Sequence, residues 1–117
     1  MLQTETVAFR MQLHPGQAEE YRRRHDAIWP ELTTLLREAG VVEYRIFLAE
    51  ESHALFAVFT HRAGHGLEAL PDHPVMQRWW AKMADIMDTN ADHSPVQVPL
   101  REVFRMARDE CRIQDSE

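Results

Sequence analysis

The chain is poor in cysteine, with one, Cys111, among its 117 residues. A single thiol closes no internal disulfide, so a reducing compartment, the cytoplasm, is expected. Four glycines give neither a Gly-rich phosphate loop nor a G-x-G-x-x-G fingerprint, which excludes the common nucleotide-binding designs. No serine has a G-x-S-x-G context and Cys111 falls in a charged C-terminal stretch, so no activated nucleophile is expected. Positive charge is also scarce. With 13 Lys and Arg against 19 Asp and Glu the net charge is -6, and apart from Arg22 to Arg24 there is no basic stripe, so nucleic acid is not an expected partner. No apolar run approaches the roughly 18 residues of a membrane span. The opening MLQTETVAFR carries Glu5 and lacks the apolar segment of an export signal. Membrane association and secretion are therefore not expected.

What is present is an ordinary globular composition, 44% hydrophobic and 27% charged, of a size for one core. Val7, Phe9, Met11 and Leu13 alternate with polar or small residues, the period of a strand with one buried face. His14-Pro15-Gly16 stops it. Ala18, Tyr21, His25, Ile28, Leu32, Leu35 and Ala39 then step by three and four, a helical stripe that Gly40 suits as a cap. Pro30 cannot donate the helical bond to Asp26, so a kink is expected there, or two helices with Pro30 opening the second. Tyr44, Ile46 and Leu48 alternate again, and residues 55–60 form an apolar run, which predicts a hairpin turning at residues 49–53. Residues 61–72 read as a connection with one helical turn around Leu67 to Leu70. From Pro74, the residues Val75, Met76, Trp79, Trp80, Met83, Ile86 and Met87 cover a broad helical face. Residues 88–99 are turn-rich, and residues 100–106 alternate as a last strand, interrupted by Glu102 on its apolar side.

The order β-α-β-β-α-β predicts an α+β domain over residues 1–106, with two helices covering one face of a four-stranded antiparallel sheet. Residues 107–117 read as a charged, flexible tail. Leu55 to Phe59 place apolar side chains on both sheet faces, and at this length the second face is most cheaply covered by another copy of the chain. A homodimer is expected.

Two constellations carry chemistry. Tyr21 and His25, four apart, share a helix face within an otherwise apolar stripe. The plain explanation is a core histidine satisfied by backbone; the sharper one is a sheltered imidazole that moves a proton near neutral pH. Trp79 and Trp80 point about 100° apart, so one ring can fill the core while the other edges a pocket. With Tyr44 they would line a site for a small, neutral, hydroxylated molecule. His61 and His65 have the spacing of a helical ligand pair, but Gly64 and Gly66 make that segment a loop, so no metal is expected.

The runs Glu20-Tyr21-Arg22-Arg23-Arg24-His25 and Ile28-Trp29-Pro30-Glu31-Leu32 resemble the L-rhamnose mutarotase family. So do Tyr44 after Gly40, Gln77-Arg78-Trp79-Trp80 with Met83, Ser94-Pro95, and Glu102-Val103-Phe104. The similarity runs from residue 7 to residue 106. It implies a ferredoxin-like domain in a dimeric α/β barrel, and an isomerase that interconverts the α and β anomers of L-rhamnose or a related 6-deoxy hexose without cofactor or metal. It implies His25 as proton donor, and Tyr21, Tyr44, Trp79 and Trp80 as sugar contacts. Other barrels of this topology are haem-dependent or cofactor-free monooxygenases, and a non-catalytic sugar-binding domain is a further alternative.

Overall fold

The computed structural model describes residues 3–63 and 66–106; the predicted tail at 107–117 and part of the 61–72 connection lie outside them. The elements run β1 (Thr4–Gln12), α1 (Ala18–Asp26), α2 (Pro30–Glu38), β2 (Val41–Ala49), β3 (Ala54–Arg62), a short 3₁₀ turn (Leu67–Asp72), α3 (Pro74–Met83) and β4 (Val98–Leu100). The sheet is four-stranded, in the order β2-β3-β1-β4, with every pairing antiparallel. This is the expected α+β arrangement, with helices on one face.

Proline divides the first helical stripe into two. Trp29, the residue before Pro30, is extended at ψ 132, the conformation forced by the proline ring behind it, and Pro30 opens α2, where no amide hydrogen is needed. α2 runs out at Gly40, whose φ of 109° is costly for any residue with a Cβ. The chain then enters β2 directly.

Register settles which side chains face the helices. Phe9 pairs with Ala57 and Met11 with Leu55, while Tyr44 pairs with Phe59 and Ile46 with Ala57. These residues share one face; Phe9, Met11, Leu55 and Ala57 form the core with Leu13, Leu32, Trp79, Met83, Ile86 and Met87, and Ile46 and Phe59 pack against it. The opposite face carries Phe56 and Val58 half-buried, and Phe47, Val98 and Leu100 exposed.

Two sequence expectations need correction. The stripe through Ile86 and Met87 predicts a longer second helix, yet α3 ends at Met83. There His14 donates its amide to the Ile86 carbonyl and Asp88 to that of Gln12, both at 2.9 Å, so Ile86 and Met87 reach the core from a segment docked on the end of β1. The last strand was expected over residues 100–106 and instead covers Val98–Leu100, paired with Ala8 to Arg10. Continued, that register would set Glu102 opposite Thr6 and Phe104 opposite Thr4, at the exposed start of β1, where neither gains apolar cover. Val103, Phe104 and Met106 are accordingly exposed.

Candidate active site

Helices and sheet do not close fully on each other. Between them lies a cavity of about 760 Å³ lined by Tyr21 and His25 from α1, Tyr44 from β2, and Trp79 and Trp80 from α3, among others. Every residue the sequence singled out as a sugar contact or proton donor thus borders one space, of a size usual for small-molecule sites.

α1 delivers the first pair. Tyr21 is buried and His25 half-buried, their rings 4.4 Å apart, as residues four apart on a helix should be. His25 Nδ1 lies 3.0 Å from the Tyr21 carbonyl oxygen. A carbonyl can only accept, so Nδ1 carries the hydrogen, and in the neutral ring Nε2 keeps its lone pair. Burial pushes the His25 pKa below its ordinary 6.5, opposed by this backbone bond and by the charge of Asp26. The imidazole is therefore neutral at pH 7, with one nitrogen fixed by the helix and the other without a hydrogen-bond partner among the described residues.

α3 supplies the wall. Trp79 is 6% exposed and meets His25 edge to face at 5.3 Å, and Trp29 likewise at 5.3 Å. Trp80, one residue on, is less buried and also lines the cavity; the expected split into one core ring and one pocket ring is only partial, since buried Trp79 borders the same space. From the sheet, Tyr44 stacks on Phe59 at 5.1 Å and 6°. Tyr44 is 40% exposed as a whole, yet burial pushes its pKa up to about 12. Burial raises Tyr21 still further, with a contribution from the nearby Tyr44 hydroxyl. Both phenols are thus neutral hydrogen-bonding groups and poor bases.

The arginines behave mostly as solvated partners: Arg22 pairs with Asp26 and Arg23 with Glu20. Arg24 does not, and reaches α3's end instead. Trp29, Phe59, His93 and Gln97 also belong to the site or its walls, and sequence reasoning gave them no role. Trp29 could have been suspected as the aromatic beside the helix break; the others follow only from register and loop course. Among the described residues, no three His, Cys, Asp or Glu side chains converge to hold a metal ion.

A family model described as L-rhamnose mutarotase matches residues 6–106. The chain belongs to the L-rhamnose mutarotase family. It is 63% identical over 102 residues, 87% of this chain and 96% of the relative, to an L-rhamnose mutarotase from Brucella anthropi. It is 60% identical over 103 residues, 88% of this chain and 99% of the relative, to one from Sinorhizobium fredii. Among solved structures, an L-rhamnose mutarotase from Formosa agariphila matches with a TM-score of 0.81 and 47% identity, covering 88% of this chain and 99% of that one. A Nitrosomonas europaea protein named for antibiotic biosynthesis monooxygenases matches at TM-score 0.58 with 10% identity, over 92% of this chain and 97% of that one; this likeness shows the shared fold alone.

Proposed function

We propose that the protein is an L-rhamnose mutarotase in which His25 carries the proton between two oxygens of the sugar. Supporting this is the free Nε2 of a neutral, half-buried imidazole that borders the same cavity as two neutral tyrosines and two tryptophans. Nε2 takes the proton of the anomeric hydroxyl, the bond from the anomeric carbon to the ring oxygen breaks, and the imidazolium returns the proton to the ring oxygen. The open-chain aldehyde turns about its C1–C2 bond, and the reverse steps close the ring on the other face. Both oxygens sit on one carbon, so one imidazole serves as base and then as donor. Tyr21 and Tyr44 orient hydroxyls, and the Trp79 and Trp80 faces suit the C–H surface of the sugar.

General acid-base assistance contributes on the order of a hundred- to ten-thousand-fold. Saturation transfer between the α and β proton signals of L-rhamnose should therefore fall by about that factor in His25→Ala, with the circular dichroism spectrum unchanged. Exchange that persists at the original rate would remove His25 from the mechanism. Wild-type protein that binds the sugar without speeding exchange would be a sugar-binding domain instead. Parallel assays with other 6-deoxy hexoses define the preferred sugar.

A second copy covers the outer sheet face, giving a homodimer, and the lone cysteine fits residence in the cytoplasm. No helix among the described residues is long and apolar enough to cross a membrane.

A further inference from the structure

Arg24 stands beside His25 and faces away from the cavity, and its hydrogen bonds are unlike those of its arginine neighbours. Arg22 is 82% exposed, whereas the Arg24 side chain is 13% exposed and Asp85, its partner, 68%. Nε donates to Glu20 Oε2 at 2.7 Å, Nη1 to the Lys82 carbonyl at 2.7 Å and to Asp85 Oδ1 at 2.8 Å, and Nη2 to Asp85 Oδ2 at 3.3 Å. One guanidinium thus makes a two-pronged bond to a carboxylate, satisfies a carbonyl left unpaired in the last turn of α3, and is held from behind by a residue one turn earlier in α1.

The elements joined are two of the three that carry the site. α1 holds Tyr21 and His25, and α3 holds Trp79 and Trp80. Their backbones approach each other at few points, so side chains must fix the spacing: Arg24 on one side of α1, and the 5.3 Å contact of His25 with Trp79 on the other. α1 is nine residues long, too short to be rigid by itself.

On the premise that His25 is the proton carrier, we propose that Arg24, clamped by Glu20 and Asp85, is a positioning residue that sets the orientation of the His25 imidazole by fixing α1 on the end of α3. Lysine cannot replace it, because a single ammonium cannot address both the Asp85 carboxylate and the Lys82 carbonyl in the plane of a fork while also meeting Glu20. Displacement of a catalytic group by about 1 Å costs on the order of a hundred-fold in rate.

The test compares Arg24→Lys and Asp85→Asn with wild type in anomer exchange of L-rhamnose, and follows the His25 ring by NMR across pH 4.5–8 at a temperature where each variant is fully folded. Expected are a kcat lowered ten- to a hundred-fold in both variants with KM changed less than threefold. The His25 titration should move toward the ordinary histidine value as α1 loosens and water reaches the ring. The double variant should be no slower than Arg24→Lys alone, since both lesions open the same clamp. Unchanged kcat and an unmoved His25 titration, or a rate loss that tracks only the unfolded fraction, would overturn the proposal. The titration does not depend on turnover. If wild type failed to exchange anomers, the mutarotase reading would fall, and the His25 titration in Arg24→Lys would still decide whether Arg24 positions the ring.

Discussion

His25 is useful because it is uncharged where water would allow it to charge. Its one fixed hydrogen points at the Tyr21 carbonyl, and its depressed pKa, caused first by burial, leaves Nε2 with its lone pair at pH 7, as the proposed role of proton acceptor requires. The active form is then the neutral ring. Catalysed exchange, corrected for the reaction in buffer alone, should be flat above pH 6.5 and decline as pH falls through the lower His25 value. The stability consequence has the same sign. The unfolded chain takes up this proton at the ordinary 6.5 and the folded chain only at lower pH, so the contribution of neutral His25 is complete above 6.5 and is lost progressively below it. An NMR titration of His25 beside the pH-rate curve checks both. A rate that climbs as pH is lowered from 6.5 would show that imidazolium starts the reaction and that the free-lone-pair assignment is wrong.

At the scale of elements, the break between α1 and α2 separates two jobs: α1 presents the site and α2 anchors it. Leu32, 1% exposed, is the anchor, and Leu32→Ala should cost about 2–5 kcal/mol in denaturant unfolding. Pro30→Ala should cost less than about 1 kcal/mol, since a first-turn proline replaces an amide that would face solvent and acts mainly on the unfolded chain. Equal losses for the two would mean that the proline, and not core packing, sets the angle between the helices. This break was legible in the sequence, as were the hairpin and the face shared by Tyr21 and His25, because each depends on neighbours a few residues apart. The end of α3 was not. Ile86 and Met87 continue a good helical stripe, and only their bonding to the 12–14 segment, far away in the chain, stops the helix. The same holds in the site. Trp79 and Trp80 declare themselves as a pair, whereas Phe59 behind Tyr44 follows from strand register, and the Arg24 fork finds a partner 61 positions away. Alternation in residues 100–106 is real, but the surface that would cover it is not in this chain's own sheet.

For the whole molecule, the outer sheet face poses the remaining question of cover. Phe47 is 49% exposed, and Val98 and Leu100 40% each, on the face that also carries half-buried Phe56 and Val58; beyond β4, Val103, Phe104 and Met106 are 80–83% exposed. A surface of this kind marks an interaction site. Each chain carries -6, so two copies repel at long range, and their association must come from apolar contact. Added salt should therefore tighten the dimer by screening that repulsion, the reverse of an interface built on ion pairs. Sedimentation velocity at micromolar concentration should give a dimer of the 13.7 kDa chain. Phe47→Glu places a charge on the outer face of the edge strand β2 and Phe104→Glu one in the exposed segment after β4, and each should weaken association by at least about thirty-fold, as loss of an aromatic anchor does. Phe47 and Phe104 are not among the residues lining the cavity, so monomeric variants that still bind L-rhamnose would separate assembly from the sugar site. A wild-type chain that sediments as a monomer at every salt concentration would leave the outer face without its partner and refute the dimer.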